Sequence, residues 1–371
     1  MALKYCPECG GKNAGDRETC FHCGYTFSKK GVPNAHCPEC DEWVIKTADG
    51  YCPECGYAFE EAQAAQKNGG KRTSHSNVDL REEERRAKQS AEARRKEEEC
   101  RQFMSIDMGV LYRYTGQQLV VYVPSDIVRI ENDAFRDCQS VKSIVIPSSV
   151  TEIGDGVFRG CTSLINVTIP DSVTTIGEYT FYGCTSLTNV VLPKGLTKVE
   201  TYLFGHCEAL KSIEIPSSVT TFGNLVFFSC LSLQSVTLPM LKEIPNDTFS
   251  YCNSLSSIAL PSSVTEIKED AFYHCESLKS IELPNGVTKI EGSAFYSCHQ
   301  LQSVTIPRTV TFIGYQVWRD TYYFSTIKYL GTKAQWNAIK KDSSWATGIN
   351  YGFGGPCIVK CTDGEIPVNT K

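Results

Sequence analysis

A repeat of 23 residues constrains the fold of this chain more than any other feature of its sequence. From about residue 111 onward, proline recurs every 23 residues, with a single step of 22. The recurring residues are Pro124, Pro147, Pro170, Pro193, Pro216, Pro239, Pro261, Pro284 and Pro307. Each copy follows the template P-x-x-V-T-x-I-x-x-x-x-F-x-x-C-x-x-L-x-x-I-x-L. A unit this short cannot bury its apolar side alone, so stacked copies must share one continuous core.

Each template position should form a ladder through the stack. The L-x-x-I-x-L segment, such as "LKSIEL" at 278–283, is predicted to be a strand with Leu278, Ile281 and Leu283 facing inward. Aromatic residues recur at Phe135, Phe158, Phe181, Phe204, Phe227, Phe249, Phe272, Phe295 and Trp318. Cysteines recur at Cys138, Cys161, Cys184, Cys207, Cys230, Cys252, Cys275 and Cys298. Both sets are predicted to point inward from the opposite, convex side of the coil.

The stretch "AFYHCESL" raises the question of catalysis, because it places His274, Cys275 and Glu276 side by side. These residue types could supply a base, a nucleophile and an orienting carboxylate. However, Cys275 is one member of the cysteine ladder, and in other repeats the residue before the cysteine is Gly160, Gly183, Ser229 or Tyr251. The pattern therefore favours a small buried thiol over a nucleophile. We expect the ladder cysteines to stay reduced, and the sequence contains no catalytic motif, so we predict that the chain is not an enzyme.

A binding face, if the solenoid has one, should be the concave sheet. Between the inward residues of the predicted strands, small polar side chains point to solvent, with a few charges. The candidate partner-binding residues are Asn166, Asn189, Lys211, Glu214, Lys279 and Glu282. The alternative is that these are simply solvated strand positions. Repeat 239–260 is one residue short and breaks the V-T-x-I rule, so we expect a local irregularity there.

The recurring V-T-x-I, A-F-x-x-C and S-L-x-S-V-x-I segments resemble the BspA-like class of bacterial leucine-rich repeats, from about Leu119 to Leu330. This resemblance implies a mainly β repeat solenoid of about eight to nine repeats over 111–330, used for protein or ligand contact and often found on cell surfaces. The tail, 331–371, resembles the cap that closes such arrays. It should hold a short helix with Trp336 and Ile339 turned to the core.

Eight cysteines in the first 55 residues form four C-x-x-C pairs. Two such pairs can place four thiolates around one ion, as structural Zn²⁺ prefers. The predicted ligands of two structural zinc ions are Cys6, Cys9, Cys20, Cys23, Cys37, Cys40, Cys52 and Cys55. Redox dithiols or disulfides are the alternative. The pairs, with the aromatic residues that follow two of them, resemble the double zinc ribbon family of small bacterial modules, over 1–60.

Charge and organisation narrow the choice of function. Residues 1–60 hold six Lys or Arg against nine Asp or Glu, which makes nucleic acid an unlikely partner for the ribbons. A flexible linker is predicted at 61–78 and a charged, solvated helix at 79–104, in which Cys100 has no assigned role. The sequence shows neither a signal peptide nor a membrane span, which suggests a cytoplasmic protein. We therefore predict a protein–protein interaction scaffold of unknown partner and oligomeric state. The alternatives are a nucleic-acid-associated regulator acting through the ribbons, or an adhesin or effector exported to the surface without a recognisable signal.

Overall fold

A computed structural model describes residues 76–349 and 356–368, with four short strands before them, and side chains from residue 89 onward. The four strands form two antiparallel hairpins. They are β1 (Leu3–Tyr5) with β2 (Lys12–Ala14), and β3 (Ala35–His36) with β4 (Trp43–Val44). The chain divides into two compact units, Met1–Glu92 and Ala93–Lys371. The predicted zinc ligands and the predicted linker lie outside the described residues, apart from the start of the helix that follows.

Helix α1 spans Ser76–Arg101 and matches the predicted charged helix, shifted by three residues at each end. Its last turn belongs to the second unit and contacts the residues around 122–126 of that unit. The Arg101 guanidinium forms a two-pronged ion pair with the Asp126 carboxylate at 2.7 and 2.9 Å, and Glu97 accepts from the Ser125 hydroxyl. Cys100 is buried, and its sulfur accepts from the Tyr122 N–H, so the expectation that this cysteine has no role was wrong.

The second unit is a mainly β solenoid of about 10 turns with a spacing of about 23 residues. The expected eight to nine repeats are extended by a first turn that lacks the template proline. That turn is an antiparallel hairpin of β5 (Met104–Asp107) and β6 (Val110–Tyr114), and β6 then pairs in parallel with the next turn. Within the hairpin β5 covers the edge of β6 and becomes the last strand of this sheet.

Each turn of the solenoid contributes one strand to each of two parallel sheets, except that the short repeat 239–260 contributes a strand to only one of them. The long-strand sheet contains β7 (Val120–Tyr122), β9 (Ser143–Val145), β11 (Asn166–Thr168), β13 (Asn189–Val191), β15 (Ser212–Glu214), β17 (Ser235–Thr237), β20 (Ser280–Glu282), β22 (Ser303–Ile306), β24 (Thr326–Tyr329) and β26 (Ile358–Cys361). The short-strand sheet contains β6, β8 (Arg129–Ile130), β10 (Glu152–Ile153), β12 (Thr175–Ile176), β14 (Lys198–Val199), β16 (Thr221–Phe222), β18 (Glu243–Ile244), β19 (Glu266–Ile267), β21 (Lys289–Ile290), β23 (Phe312–Ile313) and β25 (Lys340–Lys341).

The Phe and Cys ladders lie on the remaining side of each turn, which we call the turn side. The ladder phenylalanines are fully buried, and neighbouring rings are 5.2–5.6 Å apart between centroids. Leu278, Ile281 and Leu283 are buried from the opposite direction, as predicted. Apolar side chains from the two sheets and the turn side therefore fill one continuous core.

Two positions of every repeat on the turn side have left-handed backbone. They are the residue two before the ladder aromatic residue and the residue before the ladder cysteine, for example Asp270 (φ 55°) and His274 (φ 56°). Their N–H groups, with that of the ladder aromatic between them, donate to carbonyls of the next repeat, as Asp270, Phe272 and His274 do to Gly292, Ala294 and Tyr296. Left-handed and right-handed backbone conformations thus alternate in this segment, and every second N–H points along the solenoid axis. These N–H groups hydrogen-bond neighbouring repeats to each other.

Glycine occupies the second left-handed position at Gly160 and Gly183, where it adopts this conformation without strain. A Cβ atom at Gly160 would also lie only 2.2 Å from a carboxylate oxygen of Asp137.

The C-terminal cap follows the predicted order of strand, short helix and strand. Helix α2 (Lys333–Ala338) begins at a capping box in which Thr332 and Gln335 bond reciprocally. Trp336 is buried as predicted, whereas Ile339, also buried, follows the helix rather than lying within it. Strand β27 (Gly364–Pro367) then pairs antiparallel with β26 and covers the end of the long-strand sheet.

The sheets are interrupted at two places, which we call seams. At the first seam no strand pairing joins β12 to β14 or β13 to β15 in the described part of the chain. At the second, β16 and β18 are likewise unpaired, and the segment 256–260 of the short repeat forms no strand. The irregularity predicted for repeat 239–260 is therefore confirmed. The first seam had no counterpart in the sequence analysis.

Candidate interaction surface

The long-strand sheet presents its solvent-facing side chains as the sequence predicted. In β11, β13, β15 and β20 the middle residue is buried and the two flanking residues are exposed. Parallel pairing in register aligns like positions across repeats, for example Asn166 with Asn189 and Ser212 with Ser235. Period-two alternation thus produces two exposed columns beside each buried one, and most of their side chains are small and polar, with Val145 and Val191 among the exceptions. We call this exposed surface the long-strand face.

All six candidate residues are exposed, but the structure does not gather them into one site. Asn189 and Glu214 line the same depression of about 740 Å³, together with Lys194 and Ser235. Asn166 lines a second depression of about 340 Å³. Lys211, Lys279 and Glu282 lie outside both.

The larger depression lies at the first seam, between the unpaired strands β13 and β15. Some Cα atoms of the two strands still lie within 8 Å of each other. The strands therefore remain neighbours although no ladder of hydrogen bonds joins them. Repeats remain joined across this seam on the turn side, where Tyr179, Phe181 and Gly183 donate their N–H groups to the next repeat. The seam therefore places backbone groups of two strand edges at the floor of a polar depression.

Charged side chains form ion pairs on the short-strand sheet but not at the candidate residues of the long-strand face, within the described residues. On the short-strand sheet Lys268 lies 2.5 Å from Glu266 and 3.2 Å from Glu291, and Arg129 lies 3.3 Å from Glu152. On the long-strand face no ion pair within the described residues involves Lys211, Glu214, Lys279 or Glu282. These four charges thus lack an ion-pair partner in the part of the chain that the structure describes.

The cysteine ladder has a structural role that the sequence did not reveal. From Cys161 to Cys298, each ladder thiol donates to the carbonyl oxygen of the ladder phenylalanine in the preceding repeat. The sulfur-to-oxygen distances are 3.0–3.3 Å. That carbonyl also accepts the backbone N–H of the cysteine three residues later in its own repeat. The thiol therefore satisfies a buried carbonyl, a task that a purely apolar residue could not perform.

The same geometry argues against a catalytic role for Cys275. Its thiol is fully buried and donates to the Phe249 carbonyl at 3.2 Å, and burial raises its pKa well above the ordinary value. Burial likewise raises the pKa of Cys184 to about 12. The His274 ring lies on the turn side, 3.7 Å from the Glu276 carboxylate, and burial lowers its pKa. A thiol held inward as a neutral donor cannot act as a nucleophile.

Within the described residues no group of His, Cys, Asp and Glu is arranged to hold a metal ion. The eight predicted zinc ligands are not among those residues. The ladder cysteines are all free thiols, as expected from the sequence. No helix in the described part of the chain is both long and apolar enough to cross a bilayer.

Comparison with known proteins supports this architecture. The model of the BspA type leucine rich repeat region matches residues 111–234 and 226–338, in six copies. A leucine-rich repeat protein from Bacteroides ovatus is 31% identical, with a TM-score of 0.58; the match covers 64% of this chain and 64% of that one. The chain thus spans less than two thirds of the length of that protein.

Two further solved structures are more distant. A leucine rich cell surface protein from Faecalibacterium prausnitzii is 25% identical over 63% of this chain and 93% of its own, with a TM-score of 0.34. The T. pallidum leucine rich repeat protein is 26% identical over 60% and 88%, with a TM-score of 0.34. No curated protein matches the sequence. The repeat template, the two parallel sheets and the family match over more than half of the chain lead to one conclusion: the chain belongs to the BspA type leucine-rich repeat family.

Proposed function

We propose that this chain is a non-enzymatic scaffold that binds a protein partner through its long-strand face. The observation that carries the proposal is the set of exposed charges on that face, Lys211, Glu214, Lys279 and Glu282, which have no ion-pair partner within the described residues. A protein partner with complementary charges could pair with them and with the small polar side chains between them.

The depression at the first seam gives this face a centre. A volume of about 740 Å³ lined by Asn189, Glu214 and Lys194 can accept one or two side chains of a partner. The remaining surface carries mostly small polar side chains, as the rim of a protein interface does, together with the exposed Val120 and Val145. Binding energy should therefore concentrate at the seam.

The proposal is tested by placing bulk on the face. The double variant Asn189→Arg/Ser235→Arg should abolish retention of the protein that the full-length chain captures from its host lysate. The matched control, Thr175→Arg/Thr221→Arg, adds the same bulk and charge at exposed positions of the short-strand sheet. Loss of capture by the first variant alone supports the proposal. Equal capture by both, or loss in both, contradicts it.

We further propose that residues 1–60 form two structural zinc ribbons that accompany the solenoid. Support comes from the two hairpins: in the sequence Cys6 and Cys9 fall between β1 and β2, and Cys37 and Cys40 fall between β3 and β4. A knuckle at the tip of a hairpin suits a tetrahedral thiolate site. Treating the lysate with nuclease distinguishes a protein partner from a nucleic acid held by the ribbons. The cytoplasmic location stays a prediction, which added protease on intact cells would test.

A further inference from the structure

A row of half-buried aromatic side chains runs along the turn side, outside the fully buried Phe ladder. Its rings contact one another from repeat to repeat, with centroids 5.0–6.0 Å apart. We call this row the aromatic strip; its members are Tyr179, Tyr202, Phe228, Tyr251, Tyr273 and Tyr296. The strip occupies the two left-handed positions and the position after the ladder phenylalanine, so the continuous turn-side backbone holds it in a fixed register.

Arginine already stacks on the strip at both ends. The Arg159 guanidinium lies 5.6 Å from the Tyr179 ring centroid, and that of Arg319 lies 5.8 Å from the Tyr296 centroid. These are cation–π distances, and a guanidinium is the cation that most often makes such contacts. Between residues 160 and 307 the sequence contains no arginine at all. The middle of the strip therefore has aromatic rings like those at its ends, but it has no arginine of its own to stack on them.

Carboxylates border the middle of the strip. Asp247 and Asp270 occupy the same template position as Tyr179 and Tyr202, and Glu269 adjoins Asp270. No Lys or Arg forms an ion pair with these three carboxylates among the described residues. Burial, followed by repulsion from Asp247 and Glu269, raises the pKa of Asp270 to about 6. The negative charge beside Tyr251 and Tyr273 is thus uncompensated and would be stabilised by an approaching cation.

We propose that the strip between Tyr202 and Tyr296 binds an arginine-bearing segment of a partner protein. Its guanidinium groups stack on the exposed parts of the Tyr251 and Tyr273 rings and pair with Asp247, Glu269 and Asp270. Arginine fits better than lysine because its planar group can stack on a ring and donate two parallel hydrogen bonds to a carboxylate at the same time. This surface is separate from the long-strand face, and the inference does not depend on the function proposed for that face.

The test measures binding of fluorescent nonapeptides of arginine, lysine and serine to the full-length protein by anisotropy, at 150 mM salt. The arginine peptide should bind about three- to tenfold more tightly than the lysine peptide, and the serine peptide should not bind. Tyr251→Leu and Tyr273→Leu should each weaken arginine binding about two- to fivefold. The matched control is Tyr112→Leu, an exposed tyrosine of β6, which should change nothing.

Asp270→Asn provides a second variant that leaves every ring in place. It should weaken binding of the arginine peptide, and thermal melting confirms that each variant is folded. The proposal is overturned if the arginine and lysine peptides bind equally and the strip variants match Tyr112→Leu, because the attraction would then be that of a net acidic protein for any polycation. It is also overturned if the arginine peptide does not bind.

Discussion

The first seam leads to a prediction about cooperativity. Phe204 is fully buried in the first repeat after the seam. Its ring stacks on that of Phe181 across the seam, with 5.4 Å between centroids, and on that of Phe227, with 5.6 Å between centroids. Because neither sheet is paired there, the turn side carries the hydrogen bonds and ring stacking that hold the two blocks together. Replacing Phe204 by alanine should therefore uncouple the repeats before the seam from those after it.

The magnitude follows from the lost contacts. Truncating a buried phenylalanine to alanine costs about 3–5 kcal/mol. The two stacked ring pairs account for roughly 1–3 kcal/mol of this loss, at about 0.5–1.5 kcal/mol each. In a solenoid, stability is close to a sum of repeat and nearest-neighbour interface energies, so this loss falls on an interface that lacks strand pairing in both sheets.

A matched control is Phe272→Ala, which removes an equally buried ring stacked on Phe249 and Phe295 at 5.2 and 5.3 Å. There the short-strand sheet is intact on both sides and β20 is paired with β22. Both variants should lose similar stability in urea unfolding followed by circular dichroism. Only Phe204→Ala should unfold in two steps, with amides before and after the seam exchanging hydrogen at different rates. One common transition in both variants would refute the idea that the seam is a weak interface.

Three further predictions follow from the described residues and the sequence. Asp270 has a folded pKa of about 6 against an ordinary value of 3.8, so ionisation destabilises the fold as the pH rises between these values. Above pH 6, Asp270→Asn should therefore raise the free energy of unfolding by at most about 1–2 kcal/mol after solvent screening, and the melting temperature should rise with it. Below pH 4 this gain should vanish. Iodoacetamide with mass spectrometry should label the partly exposed Cys138 and Cys361 in the native protein but Cys275 only in denaturant, and rapid native labelling of Cys275 would contradict its inward orientation. Atomic absorption should find two zinc ions per full-length chain, and Cys9→Ser should lower this content by one ion without changing the melting of the solenoid.

The repeat template predicted most of the solenoid because burial acts on each repeat in the same way. The predicted strand at 278–283 is shorter in the structure, where β20 spans Ser280–Glu282. Ile281 lies in the strand and Leu278 and Leu283 flank it, and all three are buried. The same logic placed the cysteines inside. It did not reveal that they donate to the phenylalanine carbonyl of the preceding repeat, because that contact joins residues 25 or 26 positions apart, in different copies.

The left-handed positions and the aromatic strip were missed for one reason. Glycine, which signals left-handed backbone in a sequence, occupies these positions in only a few repeats, while tyrosine and histidine occupy others. The position before the ladder cysteine is glycine in one repeat, Gly183, and histidine in another, His274. In the sequence this variation therefore looked as if the position accepted any side chain. The aromatic residues that follow the ladder phenylalanine, such as Tyr273 and Tyr296, were the available signal.

The two seams differ in how far the sequence could reveal them. The second lies at the short repeat, whose missing residue falls between β17 and β18 and was visible in the sequence. The first separates two repeats of full length, so its origin lies in packing between copies rather than in the pattern of either one. The charges of the long-strand face were readable from the sequence, but the depression at the seam, which Lys194 and Glu214 line, was not.

The seams and the strip assign different mechanical properties to the two candidate surfaces. On the turn side, hydrogen bonds and stacked rings continue from repeat to repeat through both seams, from Phe181 to Phe204 at the first and from Phe227 to Phe249 at the second. The long-strand sheet is interrupted at the same two places. A ligand on the aromatic strip therefore meets rings at fixed spacing. We expect the strip to select partners by the spacing of their arginines. A partner on the long-strand face meets blocks that can adjust about the turn side, so that face should accept partners of more varied shape.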